Sequence, residues 1–124
     1  METREEKSSR FLRAAGKVPY DKELLDPSMI QSFIEEAQEF IESYYDYILD
    51  DNEETRANLC KEWADAQVTL SNMAWYLDIP AETALDRVVD NNDTKIGVDG
   101  KVTFREDGKV LKPEGYVKVD MKGL

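Results

Sequence analysis

Between Met29 and Leu49 the apolar side chains fall at positions 30, 33, 34, 37, 40, 41, 44, 45 and 48. That is the spacing of one helix face and not of a strand. Asp26-Pro27 stands in front of this stretch; Asp is a good N-cap and Pro suits the first helical position. Asp50-Asp51-Asn52 then breaks the pattern and can cap a further helix, whose first turn carries Glu53 and Glu54, favourable charges at a helix start. Leu59, Trp63, Ala66, Leu70, Met73, Ala74 and Leu77 make the apolar stripe of that helix. Two long amphipathic helices therefore dominate what the chain can become.

The flanks add smaller elements. Residues 5–15 suit a short helix with Phe11, Leu12 and Ala15 on one side, ended by Gly16 and Pro19. Pro80 marks another boundary, followed by a short helix with Ala81, Ala84, Leu85, Val88 and Val89 on its buried side. Asp90-Asn91-Asn92-Asp93 ends the helical region. Beyond it, Lys101-Val-Thr-Phe-Arg105 and Lys109-Val-Leu-Lys112 flank Asp107-Gly108, a strong hairpin turn signal. The expected fold is all-α: a bundle of about four helices with a short C-terminal β-hairpin and an irregular tail. A chain of 124 residues suits one domain over 1–124, its helical part covering about 5–92 and the hairpin and tail about 96–124.

Composition narrows the chemistry. There is no histidine, which excludes Ser-His-Asp, Cys-His and histidine-ligated zinc sites. Acid–base and metal roles fall to carboxylates, lysines or tyrosines. The net charge is −11, so nucleic acid and anionic membrane are poor partners and cations good ones. Residues 92–124 hold seven basic and six acidic side chains, leaving 9 basic and 21 acidic in 1–91; the acidity is concentrated in the helical part. A lone cysteine, Cys60, allows no internal disulfide and suits a reducing compartment. The charged start METREEKSSR has no apolar signal core, and no apolar run approaches the roughly 20 residues of a membrane span. A cytoplasmic location is expected, the host cytoplasm if the gene is a phage's.

The informative acids are Glu35-Glu36-x-x-Glu39 on the first long helix and Glu62-x-x-Asp65 on the second. A spacing of three puts two side chains on neighbouring turns of one face. If the helices pack antiparallel, four carboxylates can converge, and hard cations such as Mg²⁺ want oxygen ligands. At about 100° per residue, Glu62 lies beside the apolar stripe, and Asp65, Thr69 and Asn72 continue that polar seam. Acids at a packing edge resist desolvation unless a cation joins them. On the first helix the apolar face centres near Ile34, Ala37, Ile41 and Ile48. Glu35 and Glu39 fall on its far side, and only Glu36 sits near the border. Spacing alone thus leaves two readings open, a solvated acidic face and a metal site.

Taken together the motifs resemble the MazG-like, all-α NTP pyrophosphohydrolase superfamily. Its signature of two acids plus a third, then Glu-x-x-Asp on the next helix, reads here as Glu35-Glu36-Ala37-Gln38-Glu39 and Glu62-Trp63-Ala64-Asp65. Asp90-Asn91-Asn92-Asp93-Thr94-Lys95 is similar to its Asp-x-Asn-x-x-Lys/Arg element, and GKVTFREDGKVLKPEGY to the extension of small stand-alone members, phage ones included. The resemblance covers roughly residues 8–118. One departure stands out: small members often carry an arginine shortly before the first acidic pair, where Ile30 and Gln31 stand here.

The resemblance implies hydrolysis of a (d)NTP to (d)NMP and pyrophosphate, with Glu36, Glu39, Glu62 and Asp65 ligating Mg²⁺ or, in its place, Mn²⁺. Glu35 would position or deprotonate the attacking water. Lys95 would contact a phosphate, Asn92 the substrate or Asp90, and Asp90 would orient Lys95. Asn72 and Thr69 could line a pocket between helices. Trp63, Trp75, Tyr44, Tyr45, Tyr47 and Tyr76 suit core or oligomer contacts better than a base-stacking wall, and Cys60 a buried small residue. A bundle with this much aromatic surface is expected to complete its core as a homo-oligomer, dimer or tetramer. Alternatives are a phosphoribosyl-ATP pyrophosphohydrolase-like enzyme and a non-catalytic acidic helical interaction module. A Mg²⁺ or Ca²⁺ buffer is disfavoured by the lack of an EF-hand loop.

Overall fold

The computed structural model describes residues 1–23 and 26–124. The fold is all-α, with helices α1 (Arg4–Ala14), α2 (Ser28–Leu49), α3 (Glu53–Tyr76) and α4 (Ala81–Asp93). A two-stranded sheet of β1 (Thr103–Phe104) and β2 (Val110–Leu111) follows, then an irregular tail. The chain forms two compact units, Met1–Ile79 and Pro80–Leu124.

In the first unit each helix start has a local cause. Thr3 and Glu6 form a capping box on α1: the Thr3 hydroxyl accepts the Glu6 N–H at 3.1 Å and the Glu6 carboxylate accepts the Thr3 N–H at 2.7 Å. Asn52 and Thr55 do the same on α3, at 2.9 and 3.1 Å. On α2 the expected cap is displaced. Pro27 takes the N-cap position without a side-chain bond, and α2 begins at Ser28. Asp26, one residue further out, still accepts the Ser28 N–H at 3.0 Å, so one orphan donor of the helix start is satisfied.

The core of this unit is small: Leu12, Met29 and Tyr76, with Met73 and Trp75 packed against them. Tyr76 also fastens the α1–α2 connector to the end of α3. Its phenol oxygen accepts the Asp26 N–H at 3.1 Å and its carbonyl accepts the Tyr20 N–H at 2.7 Å. The Lys17 ammonium donates to Asp26 at 3.0 Å and to Ser28 Oγ at 2.9 Å.

The long helices are turned differently from the way their apolar periodicity predicts. Along α2 the less exposed positions are Met29, Phe33, Glu36, Ala37, Phe40, Ser43 and Tyr47, whereas Ile30, Ile34, Ile41, Tyr44, Tyr45 and Ile48 are exposed. Along α3 the buried residues are Glu62, Thr69, Ser71, Ala74 and Tyr76. Trp63, Leu70 and Leu77 of the expected stripe are exposed, and so is Cys60. Periodicity finds the most apolar face of a helix. It does not say whether that face meets the neighbour in the same chain, and here α2 and α3 meet through their mixed, partly polar faces.

The second unit departs in a similar way. No residue of α4 is fully buried, and Leu85, Val88 and Val89, expected inside, are exposed. The face that is used carries Arg87, Asn91 and Thr94. Arg87 donates to the carbonyls of Asp120 (3.1 Å) and Lys122 (3.3 Å), the Asn91 amide donates to the carbonyl of Val117, and Thr94 Oγ1 accepts the Val117 N–H at 3.3 Å. An irregular tail leaves backbone groups without ladder partners, and polar side chains satisfy them. The hairpin sits where Asp107-Gly108 places it, pairing Thr103 with Leu111 and Phe104 with Val110. Gly108 takes φ 84° in its turn, a conformation that favours glycine.

Candidate metal centre between α2 and α3

Glu36 and Glu39 come from consecutive turns of α2, Glu62 and Asp65 from consecutive turns of α3. One carboxylate oxygen each from Glu36, Glu62 and Asp65 lies within 4.8 Å of the other two. Glu39 joins them from the rim. The Glu36 carboxylate beside it, then desolvation and the Glu62 carboxylate, hold its carboxyl above the usual range. The far-side position given to Glu39 by periodicity is therefore corrected: turning the helices onto their polar seam brings it to the acids of α3.

Burial sets this group apart from an ordinary acidic surface. Glu62 is only 8% exposed. Its Oε2, and Oε2 of Glu36, are buried with no hydrogen-bond partner. Buried carboxylate oxygens are normally paired, and an unpaired one costs a large desolvation penalty. Two such oxygens beside two further acids form a donor set made wholly of oxygen, which suits a hard divalent cation.

Lys61 is the cation already at this site. Its ammonium lies 3.1 Å from Glu62 Oε1 and 2.9 Å from Asp65 Oδ2. Hydrogen bonds to Asp65 and Glu62, then their charges, raise its pKa above the ordinary lysine value. Sequence reasoning missed it. The signal was there in the i, i+4 spacing of Lys61 and Asp65, but a lysine on an acidic helix reads as solvated.

The same seam continues away from the acids. Ser32 stands one turn before Glu36, and Thr69 and Asn72 one and two turns beyond Asp65. These three, with Ser28, Lys17, Met29 and residues of α1, line a cleft of about 160 Å³. On a different side Phe40, Tyr44, Leu59 and Trp63 line an open groove with Arg56.

Glu35 is exposed and outside the cluster of close oxygens. Asp90, Asn92 and Lys95 belong to the second unit. There Lys95 donates to Asn92 Oδ1 at 2.9 Å, so Asn92 holds the lysine in the way that was expected of Asp90, which is exposed.

No protein-family model matches this chain, and no curated protein matches it. Among the described residues, no helix is long and apolar enough to cross a membrane.

Proposed function

We propose that the chain is a Mg²⁺-dependent nucleoside-triphosphate pyrophosphohydrolase of the MazG-like kind, converting NTP and water to NMP and pyrophosphate. The observation that carries this reading is the meeting of Glu36, Glu62 and Asp65 around two buried, unpartnered carboxylate oxygens, with the exposed Glu39 at the rim. An acidic module that mimics nucleic acid displays its charge, whereas here an acid is withdrawn from solvent, which weighs against that alternative.

In this reading the four carboxylates hold Mg²⁺, or Mn²⁺ in its place. The ion supplies the positive charge that lets a triphosphate approach the acids and that offsets charge developing at the cleaved bond. Glu35, exposed next to Glu36, is the candidate for positioning or deprotonating the water; with no histidine in the chain, a nearby carboxylate is the available base. Asn72, Thr69 and Ser32 offer hydrogen-bonding groups to the nucleoside in the cleft along the seam. Lys95, steadied by Asn92, is a candidate phosphate contact. A phosphoribosyl-ATP substrate would use the same chemistry.

The exposed apolar stripes support a homo-oligomer. Ile34 is 51% exposed and Trp63 54%, although they lie on the most apolar faces of α2 and α3. Two helix sides, each roughly 30 Å long and 10 Å wide, offer about 600 Å², near the ~800 Å² per partner of a stable interface. A second copy offers the same stripes. Light scattering coupled to size exclusion is expected to give a dimer or tetramer, and a monomer at micromolar concentration would remove this part of the proposal.

The activity is tested by pyrophosphate release from each common NTP and dNTP and from phosphoribosyl-ATP, with and without Mg²⁺, beside Asp65→Asn. Metal-dependent release that is lost in the variant is expected. Absence of release from every substrate, together with metal binding that Asp65→Asn leaves intact, would overturn the proposal.

A further inference from the structure

We propose that Lys61 is the site's own cation: it occupies oxygens of Glu62 and Asp65 until a divalent ion takes them, and it then turns to the phosphates of the substrate. This rests on the metal reading above and adds a residue to it.

Three observations carry the inference. The Lys61 ammonium bridges the two α3 acids, at 3.1 Å from Glu62 and 2.9 Å from Asp65. A metal ligated by those acids would draw on the same two carboxylates whose charge the lysine already offsets, so the two cations compete. The second observation is that the lysine bond leaves the cluster unfinished: Glu62 Oε2 and Glu36 Oε2 are still buried without a partner. A monovalent ammonium at the edge offsets part of the charge of four carboxylates and none of the need of the two inner oxygens. A compact divalent ion with several coordination positions can serve both.

The third observation is the freedom of Lys61. Its side chain is 65% exposed, against 11% for Glu62. The acid is fixed and the lysine is free to swing on its long stem. Once displaced, it is a strongly hydrated cation at the mouth of an acidic site, next to where a polyanion must arrive. Lysine is well suited to this as a mobile point charge for phosphate. The arrangement also gives order to the two events: metal entry releases the cation that the phosphates then use.

The test titrates wild type, Lys61→Met, Lys61→Arg and Asp65→Asn with MnCl₂ alone, and then titrates the Mn²⁺-loaded proteins with inorganic tripolyphosphate, which needs no knowledge of the base. Lys61→Met is expected to bind Mn²⁺ about fivefold more tightly, since one exposed ion pair no longer competes. The same variant is expected to bind tripolyphosphate about tenfold more weakly, the scale of one charge-assisted hydrogen bond. Lys61→Arg should recover most of the tripolyphosphate affinity, and Asp65→Asn should lose Mn²⁺ binding, which ties the titration to this cluster. Far-ultraviolet circular dichroism checks that the helices persist.

Opposite signs for the two ligands support the inference, because a purely structural lysine would move both in the same direction. Unchanged or weaker Mn²⁺ binding by a folded Lys61→Met overturns the competition, and unchanged tripolyphosphate binding overturns the second role. If neither wild type nor Lys61→Met binds Mn²⁺, the metal reading itself has failed and this inference with it. That outcome is told apart by the silence of the wild type.

Discussion

The two sides of the α2–α3 pair contrast sharply. The inner side brings together Glu36, Glu62, Asp65, Ser43 and Thr69, polar groups where a small helical protein would ordinarily place its core. The outer side carries Ile30, Ile34, Ile41, Ile48, Trp63 and Leu70 in view of solvent. A single chain that folded for burial alone would turn both helices the other way. The acids of the proposed metal site thus lie on the buried face of the pair, while the most apolar faces stand open to solvent. The stabilising core has retreated to one end, around Leu12, Met29 and Tyr76.

The largest expected effect breaks the inner side. Glu62→Gln keeps the shape and removes a buried charge. Pyrophosphate release should fall at least about 1,000-fold, given that even outer-shell partners of metal ligands are worth about 10–100-fold. Measured without metal, the same variant should unfold at a higher temperature, because an unpartnered buried carboxylate oxygen is costly. Activity and metal-free stability moving in opposite directions would mark this face as functional. A loss of both would mean that Glu62 serves the fold.

Next comes the outer side. Ile34→Asp places a charge in the middle of the exposed stripe and should weaken self-association by about 3 kcal/mol, the lost burial of one Ile side chain plus the desolvated charge. Sedimentation across a concentration series would read this as a shift toward monomer. Helix content should hold, since Ile34 supports little within its own chain.

A neighbouring pair then sharpens the contrast residue by residue. Met29 is buried in the core and Ile30 is half exposed. Met29→Ala should cost about 2 kcal/mol in denaturant unfolding, at the low end for buried methionine truncation. Ile30→Ala should cost well under half of that in the monomer. Equal costs would show that the oligomer makes the outer side part of one folding unit.

The smallest effect concerns Asp26. Hydrogen bonds from the Ser28 side chain, then Lys17 and the Ser28 backbone, lower its pKa from 3.8 to about 2. A depressed folded pKa means that its stabilising contribution is complete above the unfolded value and is lost as pH falls through about 2. Asp26→Asn should therefore be slightly less stable than wild type at neutral pH, with the difference closing in strong acid. Denaturant midpoints taken from pH 7 down to pH 2 would show the convergence.

Much of this molecule was legible in the sequence. Asn52 ends the break and starts α3 where its capping residues say it must, and Asp107-Gly108 places the hairpin turn. Spacing put the acids of each helix on a shared face, because three-residue intervals do so whatever that face meets, and left open whether the face meets solvent or a metal. Orientation was not legible. Ile34 and Ile41 mark the most apolar side of α2, but a rule built on single-chain burial sends that side inward. Glu39 was assigned to the far side for the same reason. Lys61 escaped notice because a lysine four residues before an acid on an acidic helix reads as part of a solvated face. The polar face of α4 was hidden too, since the tail that Arg87, Asn91 and Thr94 hold has no periodicity to announce it.

The short break at Asp50–Asn52, closed by the Asn52–Thr55 capping box, has a kinetic meaning. All four acids lie on two helices that are neighbours in sequence, so bringing them together closes a small loop and involves contacts of low order, which form quickly. During synthesis, which proceeds from the N-terminus, every proposed ligand has been made before the first residue of α4. The cluster can assemble on the nascent chain, and a divalent ion captured there would fasten the helical hairpin while the rest of the protein is still being built.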